Sequence, residues 1–232
     1  VYLHVPFCQH RCHYCDFFTL AGRHDQMPAY VDRVVDELCV VSERVSTPIH
    51  TVFLGGGTPT LLPPDQLKRV LEALRGSLRL DPAVEWTVEA NPETVTVEHA
   101  DVLVGSGVNR VSLGAQTFDA RHLATLERRH DPANVRRSIE RLQQAGMERI
   151  SIDLIYAIPG QTLEDWHSDL HRVLELGVSH LSCYGLVYEH GTPMTRRRDR
   201  GRITPVEEGL EADMHLLARR VLADHGFQQY EI

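Results

Sequence analysis

The chain has 232 residues, of which 42% are hydrophobic and 24% are charged, and its net charge at pH 7 is −8. This length suits one sizeable domain with a hydrophobic core, so we predict a single domain over residues 1–232. The negative charge excludes nucleic acid as the main partner, because phosphate binding needs a basic surface. No apolar run approaches the ~20 residues of a membrane span, and we expect a cytoplasmic protein.

Strand and helix patterns alternate along the chain. We predict strands at residues 1–7, 50–54 and 84–90, and helices at residues 30–45, 67–78 and 97–104. A weak sequence repeat follows at residues 107–112, 146–151 and 177–182. Each copy begins with a glycine that ends a helix and continues into a strand that contains a serine. Residues 226–230 follow the same pattern but lack the serine. We predict further helices at residues 135–142, 166–174 and 210–221. Glycine after a helix supplies the left-handed cap that turns the chain.

Repeated strand–helix units predict an α/β fold with a parallel sheet and right-handed crossovers. We count six full units and the start of a seventh strand at residues 229–232. The chain begins on a strand without an initiator methionine and stops inside another apparent strand, so we expect a trimmed domain and a C-terminal domain outside this chain. A doubly wound open sheet is the alternative. Because no GxGxxG follows the first strand, we favour an incomplete barrel with its site at the carboxyl ends of the strands.

Three cysteines follow the first strand at CxxxCxxC spacing: Cys8, Cys12 and Cys15. Closely spaced thiolates of this kind hold iron–sulfur clusters, and three ligands leave one iron of a four-iron cluster open. A structural zinc site is a second interpretation, but it normally needs two cysteine pairs, and Cys39 and Cys183 are isolated. A disulfide framework is disfavoured by the odd number of cysteines in a long chain.

Polar residues near the carboxyl ends of several predicted strands indicate a pocket. Strand alternation lets Glu89, Gln116, Asp153 and Tyr184 point to the barrel interior at equivalent depth. Polar groups there are costly unless they bind something. The Gly-Gly-Gly-Thr-Pro-Thr segment at residues 55–60 either lets a ligand approach the backbone or forms a plain turn from strand to helix.

The CxxxCxxC spacing, with an aromatic residue before the third cysteine, resembles the signature of the radical S-adenosylmethionine (SAM) superfamily. Residues 2–17 are similar to its coproporphyrinogen dehydrogenase and haem chaperone branch. The resemblance implies a partial (β/α)6-type, TIM-like barrel, the radical SAM core, which holds a 4Fe-4S cluster and cleaves SAM reductively. It also implies that Cys8, Cys12 and Cys15 bind the cluster.

The same resemblance assigns further residues to SAM and its surroundings. Gly56, Gly57 and Thr58 match the segment that holds the amino group of SAM, and Glu89 resembles the carboxylate on the SAM side. In the dehydrogenases the positions of Gln116, Arg128 and Asp153 help to hold a second SAM. The full set of cofactor-binding residues is Tyr2, Tyr14, Gly56, Gly57, Thr58, Glu89, Gln116, Arg128, Asp153 and Gly185. No residue is assigned a catalytic role.

Two functions remain open within the branch. The dehydrogenases place x-Cys after the third cysteine, whereas this chain has Asp16-Phe17, as in the haem chaperones. The resemblance thus implies a protein that binds haem and delivers it to acceptor proteins at the membrane. The alternative is an oxygen-independent enzyme that decarboxylates two propionates of coproporphyrinogen III. The implied partners are haem or porphyrinogen, a haem-accepting protein, and an electron donor such as flavodoxin or ferredoxin.

Residues 196–202 contain a run of arginines. Arg196, Arg197 and Arg198, with Arg200 and Arg202 after them, follow Gly-Thr-Pro at residues 191–193. We interpret the run as a solvated loop. The alternative is that these side chains meet porphyrin propionates or another anionic partner.

Overall fold

The computed structural model describes residues 1–231. Its strands are β1 (Tyr2–Val5), β2 (Phe7–Cys8), β3 (Leu20–Ala21), β4 (Ile49–Gly56), β5 (Leu80–Ala90), β6 (Arg110–Gln116), β7 (Arg149–Tyr156) and β8 (His180–Gly185). Its α-helices are α1 (Met27–Ser42), α2 (Pro64–Ser77), α3 (Val97–Gly105), α4 (Ala120–Thr125), α5 (Ala133–Gln144), α6 (Leu163–Leu174), α7 (Pro193–Asp199) and α8 (Glu208–Asp224). No helix among the described residues has both the length and the hydropathy that crossing a bilayer demands.

Six strands form one sheet in the order β1-β4-β5-β6-β7-β8. The pairs β1–β4, β4–β5, β5–β6 and β7–β8 are parallel. Parallel neighbours that follow one another along the chain require a crossover between them, and helices supply it here. The predicted α/β fold with a parallel sheet is confirmed. The short strands β2 and β3 pair in a separate parallel ribbon, which the sequence did not predict.

The chain consists of two compact units. The first comprises Val1–Arg11, Phe17–Leu113 and Arg137–Ile150, and the second comprises Cys12–Asp16, Gly114–Arg136 and the described part of 151–232. In the first unit, helix α2 buries one apolar face completely, with Leu67, Val70, Leu71 and Leu74 all at 0% exposure. Apolar residues at this spacing form one stripe of a helix, so burial of the stripe fixes the orientation of α2.

In the second unit, helices α6 and α8 pack together. The indole nitrogen of Trp166 donates a hydrogen bond to the carbonyl oxygen of Met214 at 2.9 Å, and both residues are fully buried. Helix α6 begins with a capping box, because Thr162 and Asp165 each accept a bond from the other's backbone N–H group. A separate apolar cluster in this unit contains Leu126, Ile155, Ile158, Leu186 and Met194, with Tyr14, Tyr188 and Ile203 packed against it.

The glycine repeat ends helices as predicted. Gly107 and Gly146 have φ values of +95° and +97°, which residues with a side chain rarely adopt, and Gly177 and Gly226 are also positive. The predicted seventh strand is wrong for the residues that the structure describes, because residues 227–231 form no strand. Residues 228–231 are exposed, so no buried side chains stabilise a pairing there. Ile232, the last residue of that prediction, lies outside the described residues.

The first part of the basic run is helical, so the prediction of a loop is wrong for Arg196, Arg197 and Arg198, whereas Arg200 and Arg202 follow the helix in non-helical backbone. Thr192 caps helix α7 by accepting a hydrogen bond from the backbone N–H of Thr195, and Pro193 occupies the first turn. Arg196, Arg197 and Arg198 fall in the last turn of this helix. A helix of seven residues is too short to give a clear apolar period, which explains why the sequence pattern missed it.

Candidate functional site

In the first unit, the carboxyl end of β1 lies against the glycine segment. Strand register pairs His4 with Gly55 and Val5 with Gly56. Beyond the strands, the backbone N–H of Gly57 donates to the carbonyl of Val5 at 2.8 Å, and that of Thr58 donates to the carbonyl of Phe7 at 2.7 Å. The backbone of residues 56–58 is therefore fixed directly to the segment that leads into Cys8.

The structure gives a different reason for the glycines from the one that the sequence suggested. A Cβ atom on Gly56 would lie 2.3 Å from the ring of His4, and Gly56 has a φ of +106°. A Cβ on Gly57 would lie 2.6 Å from the carbonyl oxygen of Phe7, and one on Gly55 would lie 2.7 Å from the carboxylate of Glu89. The chain's own atoms thus demand glycine here, whatever ligand binds.

Three further predicted site residues of the first unit, Tyr2, Cys8 and Glu89, lie around this segment. The carboxylate of Glu89 accepts a hydrogen bond from the backbone N–H of Gly56 at 3.0 Å. The Sγ of Cys8 lies 3.7 Å from the hydroxyl of Thr58. Burial and the negative charge of Glu89 raise the pKa of Tyr2, although much of its side chain is exposed.

The His4 ring links the Tyr2 hydroxyl to the backbone carbonyl of Phe18 within the first unit. Its Nδ1 lies 2.9 Å from the Tyr2 hydroxyl, and its Nε2 lies 2.9 Å from the carbonyl oxygen of Phe18. Since a carbonyl only accepts, Nε2 carries the proton and Nδ1 accepts from Tyr2. His4 was not among the predicted site residues.

In the second unit, backbone hydrogen bonds hold residues 12–15 in place. The N–H of Cys15 donates to the carbonyl of Cys12 at 3.3 Å, which makes a tight turn. The N–H of His13 donates to the carbonyl of Leu126 at 3.2 Å, and the N–H of Met194 donates to the carbonyl of His13 at 2.9 Å. The turn is therefore attached both to the end of α4 and to α7.

Positive charge lies next to this turn. The guanidinium of Arg128 approaches the Sγ of Cys12 at 3.8 Å and donates to the carbonyl of Gly114 at 2.7 Å. Burial raises the pKa of Tyr14; the charge of Arg128 opposes this rise, whereas Cys12, Cys15 and Asp153 add to it. The structure thus brings five of the predicted site residues together around the Tyr14 ring: Cys12, Tyr14, Cys15, Arg128 and Asp153.

Two further predicted residues of the second unit lie at strand ends. Gln116, the last residue of β6, has a φ of +67°, so strand alternation does not fix the direction of its side chain as we predicted. Residues other than glycine rarely adopt this left-handed backbone conformation, and those that do are often found at binding sites. Gly185 ends β8 beside Tyr156, and a Cβ there would meet the carboxylate of Glu211 at 2.8 Å.

Tyr184 does not lie at the depth that we predicted. Register places Asp153 opposite Ser182 and places Tyr184 opposite Ile155, so Tyr184 is two positions farther along the strand direction than Asp153. Its side chain is 58% exposed. The prediction of four polar residues at one level is therefore wrong for Tyr184. It is also wrong for Gln116 relative to Glu89, because Glu89 pairs with Ser112, four positions before Gln116. The sequence pattern does not reveal the register between strands.

The radical SAM superfamily model matches residues 2–173 of this chain. The "Heme chaperone HemW" of Lactococcus lactis subsp. lactis (strain IL1403) is 41% identical over 231 residues, which cover 100% of this chain and 60% of that protein. The protein of the same name from Bacillus subtilis (strain 168) is 35% identical and is covered over 62% of its length. Among solved structures, HemN, a coproporphyrinogen III oxidase from Escherichia coli, superposes with a TM-score of 0.88.

The HemN alignment covers 98% of this chain and 52% of HemN, at 25% identity. It confirms the predicted TIM-like partial barrel. The chain spans about 60% of the length of these two curated relatives. With its superfamily match over residues 2–173 and this fold, the chain belongs to the radical SAM superfamily, a membership that implies a 4Fe-4S cluster and SAM.

Proposed function

We propose that this chain is the cluster- and SAM-binding core of a haem chaperone, which binds haem and transfers it to an acceptor protein. The observation that carries the proposal is the stretch at residues 8–17, where three cysteines are followed by Asp16-Phe17 instead of x-Cys. Similarity to proteins named heme chaperone along the entire chain supports the same function.

In this proposal Cys8, Cys12 and Cys15 hold the cluster. Three soft thiol sulfurs within eight residues suit iron–sulfur ligation. The guanidinium of Arg128 at 3.8 Å from the Cys12 sulfur complements the negative charge that a thiolate-bound cluster carries. The residues present therefore fit the group that superfamily membership implies.

The remaining site residues would hold SAM in position. The backbone that would contact SAM at Gly56, Gly57 and Thr58 is already fixed by hydrogen bonds. Glu89 stabilises it further by accepting a hydrogen bond from the N–H of Gly56. Because Tyr2 donates its hydroxyl proton to His4, the oxygen of Tyr2 can accept a hydrogen bond from a ligand amine. We assign Tyr14, Gln116, Arg128, Asp153 and Gly185 to the same ligand set. When bound, the reduced cluster supplies the electron that cleaves a carbon–sulfur bond of SAM.

Anaerobic assays test the proposed function. Protein purified without air should contain iron and sulfide in near-equal amounts, should bind haem in a stoichiometric complex, and should form no protoporphyrinogen from coproporphyrinogen III with SAM and dithionite. Formation of protoporphyrinogen would contradict the chaperone function. Zinc in place of iron would indicate a zinc-stabilised scaffold. The variant Cys12→Ala is the matched control for cluster-dependent signals, and Cys39→Ala, on the exposed side of α1, should behave like the wild type.

The second candidate is an oxygen-independent coproporphyrinogen III dehydrogenase. The TM-score of 0.88 with HemN favours it, because HemN is a radical SAM enzyme with this substrate. In that case Gln116, Arg128 and Asp153 would also hold a second SAM. Equilibrium binding of SAM to the anaerobic protein separates the two candidates further, since we expect one SAM per chain for the chaperone and two for the dehydrogenase.

A further inference from the structure

Helix α7 is attached to the cysteine turn of the second unit. The N–H of Met194 donates to the carbonyl of His13, and Met194 is fully buried in the apolar cluster against which Tyr14 packs. Two separate contacts, one polar and one apolar, therefore fix α7 beside residues 12–15. The arginines of α7 are consequently held at a defined place next to the proposed cluster ligands, and not on a solvated loop.

Arg197 stands out among these arginines. Its guanidinium contacts the Nδ1 of His13 at 3.4 Å, and the residue as a whole is partly buried. Within residues 1–231, no carboxylate lies within ion-pair distance of Arg197, whereas the neighbouring Arg198 pairs with Asp199 at 2.8 Å and stacks on the Tyr188 ring. The guanidinium of Arg197 is therefore held in place by His13 and has its charge available for an anion.

The charge and shape of Arg197 select a planar carboxylate. Guanidinium groups bind carboxylates through two parallel N–H···O bonds. Two hydrophobic side chains are associated with this helix: the Tyr188 ring, on which Arg198 stacks, and its neighbour in the chain, Val187, which is 61% exposed. A ligand with a carboxylate on an apolar body would complement both features.

We propose that Arg197, supported by His13, binds a propionate carboxylate of the tetrapyrrole ligand at the edge of the cysteine turn. The inference rests on the proposed function, and it holds for either candidate, because haem and coproporphyrinogen both carry propionates. The methionine carboxylate of SAM has the same chemistry, so the experiment must separate the two sources.

The test uses iron-free protoporphyrin IX and its dimethyl ester, whose propionates carry no charge. Neither probe has a metal, so axial ligation by cysteine or histidine does not contribute. We expect the wild-type chain to prefer the diacid over the ester by about tenfold, the ratio that one charge-assisted pair supports. Arg197→Gln should remove this preference and leave ester affinity unchanged, and Arg197→Lys should retain part of it. Arg200→Gln, an exposed change of the same charge directly after this helix, should behave like the wild type.

Each outcome decides the inference. Loss of diacid preference in Arg197→Gln with unchanged SAM affinity supports it. A fall in SAM affinity with an intact preference overturns it in favour of the SAM carboxylate. Equal preference in wild type and Arg197→Gln overturns it while the proposed function stands. If Arg200→Gln loses the preference as well, general surface charge explains the effect and the inference fails. If neither porphyrin binds the wild-type chain, the inference fails, whereas the proposed function is judged separately by the haem-binding assay.

Discussion

The guanidinium of Arg128 lies 3.8 Å from the Sγ of Cys12 and is fixed there by a 2.7 Å hydrogen bond to the carbonyl of Gly114. This relationship places a permanent positive charge beside one proposed cluster ligand. Because reduction adds negative charge to a cluster, a nearby cation stabilises the reduced state and raises the reduction potential.

Arg128→Gln should therefore lower the reduction potential of the reconstituted cluster by tens of millivolts. Redox titration followed by electron paramagnetic resonance measures the shift. Arg129→Gln is the matched control, because it makes the same charge change one residue away on a side chain that is 70% exposed. An equal shift in both variants would show that the local contact with Cys12 is not responsible.

Substituting alanine for Cys8, Cys12 or Cys15 should each prevent stable cluster assembly. We expect anaerobically reconstituted wild type to hold about four iron atoms per chain and each variant to hold less than about one, since a cluster needs its thiolate ligands. Iron and sulfide analysis with the visible absorbance spectrum provides the measurement. Wild-type iron content in any of the three variants would remove that cysteine from the ligand set.

Gly56→Ala should destabilise the fold even without cofactors. The new Cβ would lie 2.3 Å from the His4 ring at a φ of +106°, and crowding of this kind costs about 2–4 kcal/mol. Gly76→Ala is the control: no atom lies within 4 Å of its Cβ position in α2, and removing a helical glycine should stabilise by about 0.5–1 kcal/mol. Urea unfolding measures both changes, and equal stability of Gly56→Ala and wild type would show that His4 moves aside freely.

His130 should make the stability of the protein pH-dependent. Burial, helped by the positive charge of Arg128, lowers the pKa of His130 from 6.5 to about 3. Between these values the unfolded chain binds a proton that the folded chain does not, so stability falls as the pH drops below about 6.5, by at most about 1.4 kcal/mol per pH unit.

Replacing His130 with leucine should flatten this part of the curve. Urea unfolding at pH 7 and pH 5 compares the slopes, and His24→Leu, at an exposed histidine, should keep the wild-type dependence. Parallel curves for His130→Leu and wild type would mean that other groups cause the acid sensitivity.

The order and type of the main elements could be predicted from the sequence. Apolar residues at helical spacing on α2 and the glycines at 107 and 146 mark helix faces and helix ends by local rules, and the structure follows them. The small β2–β3 ribbon and helix α7 escaped prediction, because two-residue strands and a helix of seven residues carry too little periodicity.

For the candidate site, the sequence proposes residues but no geometry. The spacing of the cysteines and the resemblance named residues such as Arg128, which the structure places beside Cys12. The sequence did not reveal the positive φ of Gln116 or the contact between His13 and Arg197, which are 184 positions apart. Both depend on tertiary packing, which a residue pattern along one chain does not encode.

The backbone hydrogen bond between Met194 and His13 limits where this core can be truncated. The superfamily model ends at residue 173, yet the turn that carries Cys12 and Cys15 is held by a residue 21 positions later. A fragment trimmed to the limits of that model would retain every proposed cluster ligand and lose one of the two backbone attachments of the turn. Expression boundaries for this core should therefore be drawn beyond Asp199, where α7 ends.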